Sequence, residues 1–228
     1  MKVITVAGPP SSGKTSVILG VIDALKQHQK VGVVKFDCLN TDDDKLYEKR
    51  GVPVKKGLSG SMCPDHFFVS NIEECVQWGI AQGVDILISE SAGLCNRCSP
   101  HIKDVKAVCV IDNLSGVATP KKIGPMLKSA DIVVITKGDI VSQAEREVFA
   151  YRVKNVNPNA IILHVNGITG QGAYELATVF TDAPEDITMN GKQLRFSMPS
   201  ALCSYCLGET RIGASYQMGN VRKMEMKE

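Results

Sequence analysis

Apolar positions along the chain follow two alternating rhythms. Short runs rich in Val and Ile, at Lys2–Ala7, Val31–Asp37, Asp85–Glu90, Val105–Ile111, Asp131–Thr136 and Ala160–Val165, have the length and β-branched content of buried strands. Helical spacing separates them. Val17, Ile18, Val21, Ile22 and Leu25 share one face of a helix predicted over Lys14–Lys26. Further helices are predicted near His66–Gln82, over Pro120–Lys128 with Thr119 as its cap, over Gln143–Lys154 and over Ala173–Phe180. Continuous apolar strands alternating with helices predict an α/β fold in three layers, with a mostly parallel central sheet covered on both faces. Such sheets bind ligands at the carboxyl ends of their strands.

After about Thr181 the rhythm lapses. TDAPEDITMNGKQLRF reads as a turn-rich connection with room for a short hairpin, leading to a charged tail. The pattern therefore divides into a nucleotide-binding domain over 1–180 and a small C-terminal appendage over 181–228, which is too short for a core of its own. At 228 residues, with 44% apolar and 22% charged positions, the chain has ordinary globular composition. A formal net charge of +2 gives no ground for a nucleic-acid partner. No apolar run approaches the roughly 18 residues needed to span a bilayer, and the first residues run straight into a phosphate loop rather than a leader. The expectation is a soluble, cytoplasmic protein with no membrane or nucleic-acid partner.

GPPSSGKT, placed between a strand and a helix, fits G-x-x-x-x-G-K-S/T. Gly8 and Gly13 let backbone N–H groups wrap phosphates, with Ser11, Ser12 and Ser16 alongside. Lys14 would reach the terminal phosphates and Thr15 would ligate Mg²⁺. Two carboxylates at neighbouring strand ends, Asp37 and Glu90, compete to approach Mg²⁺ and position water, which makes Lys14, Asp37 and Glu90 the candidate catalytic set. Gly93 can offer its N–H to a γ-phosphate. In DIVVITKGD, Thr136, Lys137 and Asp139 follow another strand. An aspartate there can accept both hydrogen bonds of the guanine N1–H and 2-amino group, which selects GTP. The Lys137 stem can cover the base or brace the phosphate loop. Asn166 and Gly167 follow the last strand, where a loop can close over the base.

The chain has eight cysteines, more than packing requires. Cys75 and Cys109, flanked by apolar residues, read as core. Cys95 and Cys98 form one C-x-x-C pair on the loop after Gly93, and Cys203 and Cys206 form another in the appendage. Together they supply four thiolates, enough for tetrahedral zinc or an iron–sulfur cluster. A Ni²⁺ cargo is equally compatible with soft thiolates and one imidazole. The pairs could meet in one chain or across a twofold axis. His66 could be a ligand or a capping residue of its helix.

GPPSSGKT, ESAG, TKGD and VNGITGQG, in this order and spacing, resemble the phosphate-loop GTPases of metallocentre assembly. The likeness is greatest to the nickel-insertion GTPase of hydrogenase maturation and its urease-accessory relative. TDDDKLYEKRGVPVKKGLSGSMCPDHF is also similar to the hydrogenase protein's stretch between its Mg²⁺-binding aspartate and its metal site. The resemblance covers roughly residues 1–180. It implies a GTP-hydrolysing switch, homodimeric when nucleotide-bound, that holds metal in one nucleotide state and yields it to a client metalloenzyme or its maturation proteins in the other. It implies Asp37 near Mg²⁺, Asp139 as guanine reader, and Cys63, with His66 close by, in an interfacial metal site. The chain departs from the family in having Thr136 where Asn is usual, CPDH where cysteine is followed directly by histidine, and a second cysteine beside Cys98. The alternative is a nucleotide-dependent iron–sulfur protein similar to the nucleotide-gated dimeric reductases, acting in electron transfer or partner activation.

Overall fold

The computed structural model describes residues 1–196, 208–217 and 219–226. In chain order the elements are β1 (Lys2–Ala7), α1 (Lys14–Leu25), β2 (Val31–Asp37), α2 (Asp43–Glu48), β3 (Val54–Leu58), α3 (Pro64–Ala81) and β4 (Ile86–Ser91). They continue as β5 (Lys106–Asp112), α4 (Thr119–Lys122), α5 (Pro125–Lys128), β6 (Ile132–Thr136), α6 (Gln143–Val156), β7 (Ile161–His164) and α7 (Ala173–Thr181). The seven strands form one sheet in the order β3-β2-β4-β1-β5-β6-β7, and every pairing is parallel.

Alternation along each strand feeds two cores. Ile4 and Val6 of β1, with Ile86 and Ile88 of β4, pack under α1 and α7. Val3 and Leu87 face the other way, against Phe67, Phe68 and Ile72 of α3, while Ala7 and Cys109 pack with Met126, Leu127 and Phe149. The same parity separates the last two residues of β4. Glu90 shares the α1 side of β4, and Ser91 falls on the α3 side.

Two elements escape the apolar rhythm. Of α2 only Tyr47 is buried, and β3 is an edge strand carrying Lys55 and Lys56. The helix predicted over 120–128 is broken into α4 and α5 at Gly124, whose φ is +66°. A Cβ there would lie 2.5 Å from Asn96 O, so the break admits the Cys95–Cys98 loop against the helix. Thr119 is the first helical residue rather than the cap. Its N–H already reaches Gly116 O at 2.9 Å, and its hydroxyl turns back to Ser115 O.

The pairing expected within 181–196 falls instead between 191–194 and 210–212, where Leu194 N donates to Thr210 O and Ile212 N to Lys192 O. Met189, Leu194 and Ile212 are buried on the α3 side. Farther on the chain runs along α3: Asn71 donates to Arg222 O at 2.9 Å and accepts from Met224 N at 2.7 Å. Cys203 and Cys206 lie outside the described residues.

Candidate nucleotide and metal site

The carboxyl ends of the strands open into a cleft of about 620 Å³, floored by the turn between β1 and α1. Lys14 is buried there, its Nζ hooked onto Gly8 O at 3.0 Å and Pro9 O at 2.8 Å. Burial pushes its ammonium down to about 8, against the upward pull of Glu90. An anion in the loop would supply the charge that those carbonyls only partly replace. Ser12 Oγ is buried without a hydrogen-bond partner among the described residues, as suits a hydroxyl in a cradle for phosphate. Gly93 meets the loop backbone: a Cβ at this position, where φ is +67°, would lie 1.7 Å from Gly8 O. Only glycine allows the Cys95–Cys98 loop to leave β4 so close to the phosphate turn.

Thr15 Oγ1 stands 2.8 Å from Glu90 Oε1 and 3.0 Å from Asp43 Oδ2. The same two oxygens each lie 2.7 Å from Lys35 Nζ, with Asp37 Oδ2 at 3.9 Å. Lys35 and Glu90 are register partners across β2 and β4, which fixes their meeting. Tyr47 donates to the other Glu90 oxygen at 2.7 Å. Burial alone would lower the Lys35 pKa, but Glu90 and Asp43 outweigh it and raise the value. Burial works on the Asp43 carboxyl too, yet Lys35 and Thr15 hold it below its ordinary value. These hard oxygen donors fit Mg²⁺. Lys35, Asp43 and Tyr47 were not singled out in the sequence. The available signal was a lysine inside the buried run of VGVVKFD, two residues before Asp37.

At the other end of the cleft, Thr136 is buried and donates to Ser12 O at 2.7 Å, bracing the phosphate loop from beneath. Lys137 Nζ reaches Ser11 O at 2.7 Å, so its stem braces the same loop. Asp139 is exposed on the cleft wall with Ile140. Asn166 accepts from Ile168 N and Thr169 N, closing its own turn, and a Cβ on Gly167 would lie 2.7 Å from Ser16 Cβ at the start of α1.

On the far side of β4, one ligand atom each from Cys63, Asp65 and Cys98 lie within 4.8 Å of one another. This is a metal-binding constellation of the thiolate type. Cys63 caps α3 and Asp65 follows at its second position. Asp65 Oδ1 accepts from Ser91 at 2.8 Å, while Oδ2 is buried and unpartnered among the described residues, as an open ligand atom would be. Burial, then the Cys63 sulfur, push Asp65 up to about 7. Cys98 donates to Cys63 and draws it below the ordinary thiol range, with help from N–H groups of the first α3 turn. Cys98 itself is pushed up. Cys95 Sγ lies 3.6 Å from Cys98 Sγ. Among the described residues His66 is not grouped with the sulfurs. It lies about 100° farther round the helix than Asp65, and its Nε2 is 2.9 Å from Asn220 O and 3.9 Å from Glu209. The two residues inserted in CPDH, Pro64 and Asp65, thus bring a carboxylate where a histidine was expected.

The family profile for the CobW/HypB/UreG nucleotide-binding domain matches residues 2–164. The chain belongs to this family. An uncharacterized protein of Methanocaldococcus jannaschii, MJ0120, is 51% identical over 226 residues, which is 99% of this chain and 97% of that protein. Among solved structures, the hydrogenase maturation factor HypB from Archaeoglobus fulgidus superposes with a TM-score of 0.64 at 21% identity, covering 80% of this chain and 89% of the other. HypB from Helicobacter pylori in complex with nickel superposes with a TM-score of 0.64 at 20% identity, covering 80% and 86%. The fold is that of the HypB-like P-loop proteins, and family and fold together make the chain a nucleoside-triphosphate hydrolase of the GTPase class. Among the described residues no helix is long and apolar enough to cross a membrane.

Proposed function

We propose that the chain is a GTP-driven switch that binds a divalent metal in one nucleotide state and yields it to a client metalloenzyme or its maturation proteins in the other. The observation that carries this reading is the adjacency of Glu90 and Ser91. Consecutive side chains of a strand point to opposite faces. Glu90 therefore sits with Thr15, Lys35 and Tyr47, while Ser91 is bonded to Asp65 of the thiol cluster. A shift of β4's end when the triphosphate arrives would act on both faces at once.

In this reading Lys14 leaves the Gly8 and Pro9 carbonyls for the terminal phosphates, and Asp139 accepts from the guanine edge, supporting GTP over ATP. Asn166 and Gly167 close on the base. Thr15 and Asp37 would hold Mg²⁺, which supplies charge neutralisation on the transferring phosphoryl group. Glu90 orients water once it has surrendered a present donor. The cargo meets two thiolates and one carboxylate at Cys63, Asp65 and Cys98, with Cys95 beside them. That set suits Ni²⁺ or Zn²⁺, and the HypB solved with nickel is kin in fold. An iron–sulfur cluster would call for thiolates where the described residues supply Asp65.

The test is anaerobic purification, metal analysis, and Ni²⁺ and Zn²⁺ titration with and without a non-hydrolysable GTP analogue. Affinity should change with the analogue and be lost in Cys63→Ser and Cys98→Ser. A brown protein containing iron and sulfide, or metal affinity indifferent to the analogue, would overturn the reading.

A further inference from the structure

We infer that Lys35 is a tethered cation that makes divalent-metal binding at the phosphate loop conditional on nucleotide. The inference deepens the GTPase reading of the same cleft, and only the nucleotide-bound arm of its test depends on that reading.

Lys35 is buried in a strand whose other inward positions are apolar, and Glu90, its register partner, is fully buried. Neither charge is tolerable there alone. Together they form the centre of a compact network. Lys35 Nζ lies 2.7 Å from Glu90 Oε1 and 2.7 Å from Asp43 Oδ2. Those same oxygens are the ones nearest Thr15 Oγ1, the hydroxyl positioned to ligate Mg²⁺. An ammonium and a divalent ion beside Thr15 would therefore compete for one pair of oxygens.

Charge decides the competition. The carboxylates of Asp37, Asp43 and Glu90 face the ammonium groups of Lys14 and Lys35, leaving a single negative charge in a mostly buried site. A bare divalent ion would overshoot that charge while pressed against Lys35. Without Lys35 the same ion would meet twice the negative charge and no rival. A triphosphate reverses the balance by bringing excess negative charge, which gives Lys35 phosphate oxygens as new partners and leaves the metal compensated. Lys35 then releases Asp43, while Tyr47 keeps α2 tied to Glu90 of β4. Metal and nucleotide arrive together.

The experiment follows Mn²⁺ uptake by electron paramagnetic resonance, using chelator-treated, nucleotide-free full-length protein. Lys35→Met should bind Mn²⁺ about tenfold or more tightly than the wild type. Lys35→Arg should behave like the wild type, because it keeps the charge. The gain should vanish when Thr15→Ala is added to Lys35→Met, which places the new site at the phosphate loop rather than among the thiols. If Lys35→Met does not fold, Lys35→Gln is read in the same way. Equal nucleotide-free affinity in wild type and variant would overturn the inference, as would a gain that survives Thr15→Ala. With a non-hydrolysable GTP analogue the wild type should take up Mn²⁺ as readily as the variant. Failure of the wild type to bind the analogue at all would count against the GTPase reading, while the nucleotide-free comparison would still decide the role of Lys35.

Discussion

His101 and Asp65 are fully buried, and their titrations pull stability in opposite directions. His101 is held neutral, its Nδ1 facing the Thr5 hydroxyl at 2.9 Å and its Nε2 facing Met126 O at 3.2 Å. Burial, reinforced by Arg195, pushes it down to about 3. Below its ordinary value of 6.5 the unfolded chain therefore binds a proton that the folded chain refuses, and stability falls with acidification. Asp65 behaves the other way. Burial and Cys63 raise it from 3.8 to about 7, so between those values the folded chain binds the extra proton and acidification stabilises it. Each contributes a slope of about 1.4 kcal/mol per pH unit, and between pH 6.5 and roughly 4 the two slopes cancel. Asp65→Asn removes one and exposes the other. In urea denaturation of chelator-treated protein at pH 6.5, 5.5 and 4.5, the variant should lose about 1.4 kcal/mol more per unit than the wild type. Parallel curves would show that Asp65 is not the compensating group.

The elements that were legible in the sequence are those whose burial is written in apolar residues. β1 and β2 match the predicted bounds, and α6 begins at the predicted Gln143 behind Ser142, whose side chain and that of Glu145 cap it reciprocally. α2 and β3 were missed because their burial is polar: Tyr47 enters to meet a carboxylate, and β3 is a half-covered edge. The candidate site divides in the same way. The phosphate turn is a contiguous motif, whereas Lys35–Glu90 and Ser91–Asp65 depend on strand register and parity, which only the folded sheet supplies. The β4 connection also makes a prediction. Ser91→Ala leaves both Asp65 oxygens unpartnered, a cost of about 1–3 kcal/mol for a buried polar group, and removes the bond between the β4 edge and the thiol cluster. Metal affinities measured with and without a GTP analogue should then converge. If the variant keeps the wild-type ratio, coupling runs through the Gly93 contact with Gly8 rather than through Ser91.

Among the described residues, Cys63, Asp65 and Cys98 gather three possible metal donors in the same chain as the nucleotide cleft. A thiolate pair around a tetrahedral ion at about 2.3 Å would stand about 3.7 Å apart, and Cys95 and Cys98 stand 3.6 Å apart with Cys63 and Asp65 adjoining. A second copy is thus not required to bring those three together. What a monomer leaves uncovered is the rim of the cleft. Leu94 and Leu39 are exposed beyond Gly93 and Asp37, and Ile140 and Ile168 are exposed at the base end. Apolar side chains around a charged floor suit a partner that seals the nucleotide, given roughly 800 Å² of buried surface per copy. The expectation is one metal ion per chain in the monomer, and a GTP analogue that produces a dimer without changing that ratio. Leu94→Asp should block dimerisation in light scattering while the monomer keeps its metal, because the substitution falls on the rim and not among the donors. Metal taken up only by the dimer, at half an ion per chain, would place the site across the twofold axis and refute the single-chain assignment.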